Sequence, residues 1–381
     1  MFSKDHLINN ISLSITALIS SIYFFKYYSI YINVWPPVIT AAYFIIFIFL
    51  LRWLGKAGEE KFNWLNKRKY VLLILLIIIF ASAYVIFFPR LGRLGRLPAI
   101  ADWLDRLSAG KYPYNNTFLP SGFPVLFFLA APFYLINNIG LLEVIGLGIF
   151  LLLILFTSKN SKDCVIKLVI AAICPVVLFE IAVRSELLAN TVLTILLILL
   201  SEKYLEDEKT GFKFFAYAVL FGLLLSTRSI VALIYVIYLP YKFRYELAKG
   251  FFFAGIIFFV FLLTLLPFVI WSPEEFFNYG PFAVQSLVSF LPVWAAAPIL
   301  LFALLISWGI SDIQEVFFTS GIFLFLPAFF SMLHKFFAFG IYSSIVLDRF
   351  DISYLIFCVP FFVLSIKDYK VDKFLRKVLE D

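Results

Sequence analysis

From Tyr70 to Phe88 the chain carries no charged residue, and runs of this kind recur along almost its whole length. A helix that crosses a bilayer needs ~20 consecutive, mostly apolar residues. Lipid offers backbone amides no water partner, so such a run must be helical and satisfy its own hydrogen bonds. Apolar runs lie at 7–25, 35–54, 70–88, 123–139, 140–157, 164–182, 187–200, 214–240, 250–271, 282–310, 317–334 and 352–366. The composition agrees, with 63% hydrophobic and 14% charged residues, against ~45–50% and ~25% in an ordinary soluble domain. A soluble enzyme, a secreted disulfide scaffold and a disordered regulator are thereby excluded. No long polar block remains to form a large soluble head. The expected fold is an all-α polytopic membrane protein of about 10–12 transmembrane helices, forming one integral domain over residues 1–381. The first run follows the single Lys4, shows no small-residue cleavage pattern and leads into another run. It is expected to remain as a span and not to be cleaved as a signal peptide.

Lys and Arg in short loops orient such chains, being retained on the cytoplasmic side. The stretch 55–69 holds Lys56, Lys61, Lys67, Arg68 and Lys69, and the tail 367–381 is also rich in Lys. Both are expected in the cytoplasm, which sends residues 89–122 to the outer face. That loop is itself basic, with Arg90, Arg93, Arg96, Arg106 and Lys111. Either the orientation is the reverse, or cations held on the outer side against this bias point to an anionic ligand. The net charge of +7 otherwise suits basic loops meeting anionic lipid. No basic stripe is interleaved with a stacking platform, so nucleic acid is not an expected partner. Cys164, Cys174 and Cys358 lie in apolar runs, and His6 and His334 stand far apart. No metal or redox spacing is evident.

Two places break the apolar pattern at depth: Asn137, Asn138 and Gly140 between two runs, and Ser226-Thr227-Arg228 inside a third. Broken backbone is tolerated there only where protein or a water-filled cavity covers it, so a polar cavity opening outward is expected. Arg228 sits in this break with no acidic residue within a helical turn. Charged groups in spans are costly and mark function or a carboxylate partner on another helix. Arg184 and Arg349 are the other candidate cations, Arg349 having Asp348 and Asp351 as local partners. Glu186 stands two residues from Arg184, which regular helix geometry does not bring together. Glu143 reads as a cap or interface residue, and His334 with Lys335 as an interfacial pair.

The longest polar segment, residues 89–124, contains Arg90, Arg93 and Arg96 at three-residue spacing with Gly92 and Gly95 between them. Such a string either cradles phosphate with backbone amides or meets lipid head groups. Asp102 and Asp105 follow on one helical face. Arg106 neighbours Asp105 and is expected to pair with it, leaving Asp102 freer to act as a general base. Then come Gly110-Lys111-Tyr112-Pro113-Tyr114 and Pro120-Ser121-Gly122-Phe123-Pro124, opening the next apolar run.

This order of Asp, Gly-x-Pro-Tyr and Gly-Phe-Pro resembles the first outer loop of the GT-C class of membrane glycosyltransferases. The polyprenyl-phosphate-sugar-dependent, mannosyltransferase-like branch is the nearest. Looser likenesses involve Glu180, Arg184, Glu186 and Asn190, the helix around Arg228, and the late segments 271–294 and 348–362. The acidic residue usually stands further from the glycine than Asp102 does, so its role falls to either Asp102 or Asp105. The resemblance implies a GT-C-like fold whose outer loop forms short amphipathic helices over the cavity, in a bacterial or archaeal plasma membrane. It implies inverting transfer of a sugar from a polyprenyl-phosphate donor to a lipid or glycan acceptor hydroxyl. Arg228, Arg349 and Arg184 would hold the donor phosphate, and Lys111, Tyr112, Tyr114 and Glu186 would line the substrate loop. A divalent cation remains open as cofactor, although paired metal-binding acids are not evident. Two rivals stand beside this reading. One is a transporter or lipid flippase for an anion, which tends to show internal repeats; none is convincing here. The other is an envelope polysaccharide polymerase or ligase, whose large loop generally lies late in the chain.

Overall fold

The computed structural model describes residues 4–28, 35–62, 67–90, 96–205, 211–288, 293–345 and 350–367, and every element in them is helical. In chain order these are α1 (Lys4–Tyr23) with a π-helical turn (Phe24–Tyr28), α2 (Pro36–Lys56), α3 (Lys67–Phe87), α4 (Arg96–Ser108), α5 (Pro124–Leu135) and α6 (Leu141–Thr157). There follow α7 (Ser161–Ile173), α8 (Pro175–Val183), α9 (Leu187–Tyr204), α10 (Phe212–Leu225), α11 (Ile230–Phe243) and α12 (Leu247–Trp271). The chain closes with α13 (Pro273–Tyr279), α14 (Pro281–Val288), α15 (Val293–Ser307), α16 (Ile313–Phe339), α17 (Ile341–Ile345), a 3₁₀ segment (Ile352–Cys358) and α18 (Val359–Ser365).

Six helices among the described residues are long and apolar enough to cross a bilayer alone: α1 with its turn, α2, α3, α9, α12 and α16. The run 164–182 is the pair α7 and α8, bent by 54° at Cys174-Pro175. Pro175 has no N–H to continue α7 and instead starts α8, as proline does at a first helical position. The remaining apolar helices are 10–17 residues long. The chain is thus a multi-pass helical membrane protein, with fewer unbroken spans than the apolar runs imply.

Contacts sort the helix ends into two groups. At one end Lys4 meets Glu315 at 2.6 Å, Lys367 meets Asp312 at 2.6 Å, Lys162 donates to the Gly55 carbonyl and Arg244 to that of Ile310. At the other, Arg184 donates to the Phe88 carbonyl and Arg96 reaches Asp351. The run 123–139 stays at this second end. Its helix α5 has 12 residues, about 18 Å of helix, too short for a ~30 Å hydrocarbon layer. The Phe123 N–H bonds the Thr227 carbonyl, the Tyr134 hydroxyl bonds Asp105, and Gly140 beyond it packs on Val85 and Arg184. Pro124 and Pro132 sit inside this short helix, and Asn137 takes a left-handed conformation, φ 56°, to turn the chain into α6.

Close helix packing uses small residues, since lipid supplies no hydrophobic drive between apolar helices. Gly146 of α6 faces Ala189 of α9 so closely that a Cβ would stand 2.5 Å from the Ala189 Cα. Gly146→Ala should therefore lower stability by about 1–3 kcal/mol in thermal unfolding of the detergent-solubilised protein. Gly255→Ala, where a Cβ meets nothing within 4 Å, should leave the melting point in place or raise it slightly, since alanine favours a helix interior.

Candidate functional site

The amphipathic helix α4 buries Ala99, Ile100, Trp103 and Leu104 and turns Asp105 and Ser108 outward. Trp103, fully buried, stacks on Phe127 of α5 at 4.3 Å. Tyr112 and Tyr114 fill the same cluster, their hydroxyls donating to the carbonyls of Phe268 and Gly122. They fix the loop between α4 and α5. Neither lines the cavity described below.

The break between α10 and α11 is satisfied by this loop. The carbonyls of Ser226 and Thr227 accept the N–H groups of Val125 and Phe123, and the Ser226 and Thr264 hydroxyls pair at 2.6 Å. Arg228 projects from the break and is 6% exposed. It donates to Ser121 Oγ at 2.9 Å and forms a buried ion pair with Glu186, which precedes α9. Across Glu186 stands a second guanidinium, Arg96 Nε, at 3.8 Å. Arg96 also donates to Ser353 Oγ at 2.8 Å and to Asp351 Oδ2 at 2.9 Å, and lies over the Tyr354 ring at 4.8 Å. A partly open cavity of about 310 Å³ is bounded by Arg96, Arg228, Ser121, Asp351 and Tyr354, with Ile100, Leu126 and Phe127 as its apolar wall. Behind it both amide atoms of buried Asn190, Oε2 of Glu186 and Nε of Arg228 find no partner among the described residues. Buried polar atoms of this kind call for water or a ligand.

A second cavity, an apolar groove of about 390 Å³, runs between α11, α12 and α15 from Leu225 down to Trp308. Tyr235, Phe243, Phe251 and Phe258 contribute to its walls. Leu225 is three residues from Arg228, so the groove ends beside the break.

The residues singled out in the sequence fall in different places. Arg228 and Glu186 pair with each other, and Arg96 of the arginine string joins them. Arg184 takes a left-handed conformation at the end of α8 and bonds the Phe88 carbonyl at 2.7 Å, away from the cavity lining. Lys111 is exposed. Asp102 is half-buried and absent from the lining, because Arg96, Ala99 and Ile100 form that face. Asp102 lies about 200° around the helix from Ile100. Asp105 does not pair with Arg106: it accepts from the Tyr134 hydroxyl, while Arg106 donates to the Tyr112 carbonyl at 3.0 Å. Adjacent helix positions diverge too far to meet. Glu143 is a cap, though of another helix, accepting the α9 amides of Leu188 and Ala189 at 3.1 and 3.0 Å. Arg93 and Arg349 lie outside the described residues.

Asp351 is the carboxylate of the cavity, and the sequence offered it only as a neighbour of Arg349. Its usable signal was the Asp-x-Ser turn: Asp351 Oδ1 accepts the Ser353 N–H at 3.0 Å, starting the 3₁₀ segment. Against the partial desolvation it meets at the cavity wall, Arg96 and then Ser353 prevail and hold the Asp351 carboxyl below its ordinary value. A depressed folded pKa stabilises above the unfolded value and loses that contribution as pH falls through the folded one. The melting-point difference between the protein and Asp351→Asn should accordingly be constant at neutral pH and shrink below about pH 4. No group of three or more His, Cys, Asp or Glu among the described residues is placed to hold a metal ion. Comparison with protein-family models, curated proteins and solved structures finds no match to this chain.

Proposed function

We propose that the chain is an integral-membrane glycosyltransferase that moves a sugar from a polyprenyl-phosphate donor to an acceptor hydroxyl. The observation that carries this reading is a polar cavity at the α10–α11 break with an apolar groove whose Leu225 end lies close to that break in the chain. The polar one is walled by two guanidiniums, and the apolar one starts three residues from Arg228. A prenyl phosphate has this same division into anionic head and apolar tail. Glycosyl transfer leaves negative charge on the phosphate as the sugar departs, and preorganised cations stabilise that charge in a water-poor site. Glu186 pairs with Arg228 and stands 3.8 Å from Arg96, which Asp351 also holds. Tyr354 and the Ile100–Phe127 wall offer apolar surface for a sugar ring.

Positive charge supports the side. Lys4, Lys56, Lys61, Lys67, Lys162 and Lys367 belong to the end opposite the cavity or to the short loops there. By the retention of Lys and Arg in the cytoplasm, the cavity faces outward, toward envelope acceptors.

The test is direct. Purified protein in nanodiscs is supplied with radiolabelled mannosyl, glucosyl, galactosyl and arabinosyl polyprenyl phosphates, with and without membrane lipid and glycan acceptors. The expected result is release of free prenyl phosphate together with labelled acceptor. Neither turnover nor binding with any of the four donors would overturn the reading, and flux of the intact donor across the bilayer would replace it with a flippase.

A further inference from the structure

We infer that Asp351 is the general base of this transfer, and that Arg96 withholds it until the donor phosphate arrives and claims the guanidinium. The inference rests on the proposed function and adds to it a residue and an order of events.

Each of the three Arg96 guanidinium nitrogens already faces a group of the chain: Nη1 the Ser353 hydroxyl, Nη2 Asp351 Oδ2, and Nε Glu186. These take up three of its five N–H donors, so a phosphate that engages the guanidinium through two bonds competes with one of them. Exposure identifies which. The Glu186 side chain is 1% exposed and shares its charge with Arg228, whereas the Asp351 side chain is 48% exposed and borders the cavity. A phosphate presents several charged oxygens to the planar guanidinium and competes well with one carboxylate oxygen.

The Asp351 contacts are divided so that this exchange leaves the carboxylate in place. Oδ1 accepts both the N–H and the hydroxyl of Ser353. Oδ2 is the atom that Arg96 holds. Departure of Nη2 therefore releases Oδ2 from Arg96, with the Lys26 charge still acting on the carboxylate, while Ser353 keeps the group pointed into the cavity. A carboxylate that loses a neighbouring cation regains proton affinity. In the step that follows, the acceptor oxygen bonds to the anomeric carbon, and the bond from that carbon to the phosphate oxygen breaks with its electron pair left on the phosphate. The acceptor proton passes to Asp351 Oδ2 and later to water.

Farnesyl phosphate, which has head and tail but no sugar, serves as the binding probe, alongside turnover with whichever sugar donor is active. Asp351→Asn and Asp351→Ala should bind it several-fold more tightly than the parent protein, since Arg96 no longer has to be won from an anion. The same variants should lose transfer by about 10²–10⁴-fold. Unchanged or weaker binding in both would overturn the exchange, and retained transfer would overturn the base. Failure of the broader reading looks different: the parent protein itself would neither bind farnesyl phosphate nor turn over any donor.

Discussion

Glu186→Ala is expected to destabilise the protein by about 3–5 kcal/mol, the usual result of stripping one partner from a buried ion pair. Glu186 is 1% exposed, Arg228 is 7% exposed by side chain, and Arg96 stands 3.8 Å away on the other side. Removing the carboxylate leaves the buried Arg228 guanidinium without its partner and close to a second one. Thermal unfolding in a fixed detergent measures the loss. The cost arises from the stranded charge and not from an intrinsically strong bond, so Glu186→Leu combined with Arg228→Met should recover much of the stability. That double variant should still be inactive. A Glu186→Ala protein that melts with the parent would mean that water reaches Arg228 freely and that the site is open from below.

Arg96→Gln should reduce kcat for transfer by about 10²–10³-fold, the scale of losing one preorganised group that meets developing charge. Stability should change less, because Arg96 borders the cavity and its neighbours Asp351 and Ser353 keep each other as partners. Arg96→Lys should restore part of the rate, since it returns the charge without the planar fork that binds phosphate through two bonds. Arg96 has a second attachment, stacking over Tyr354, that ties α4 to the 3₁₀ segment. Steady-state kinetics separates the two roles. A variant with normal kcat and a lowered melting point would make Arg96 a strap for α4 and nothing more.

Much of this architecture is legible along the chain because its causes are local. A charge-free run such as 70–88 must be a helix in lipid whatever surrounds it, and α3 spans Lys67–Phe87. The polar triplet Ser226-Thr227-Arg228 likewise marks a break without further information, and α10 and α11 end and begin around it. Length misleads where proline and asparagine intervene. The run 123–139 has the composition of a span, yet α5 lies along the end of the bundle against α4. The Asp102–Asp105 choice failed to reach the cavity for a different reason: a shared helical face does not specify which element that face meets.

Membrane residence, helical class, the positions of the breaks and the arginines clustered at 90–106 were thus determined by the sequence alone. Each follows from the cost of exposing a backbone amide or a charge to hydrocarbon, which is paid residue by residue. Only the tertiary structure decided which charges meet. Arg228 finds Glu186 across 42 residues, and Arg96 finds Asp351 across 255. A buried charge must be paired, but the pairing depends on which helices pack together, and apolar faces rich in Phe and Leu fit many neighbours equally well. Asp351 became a candidate base only when the fold carried it from the far end of the chain to the side of Arg96.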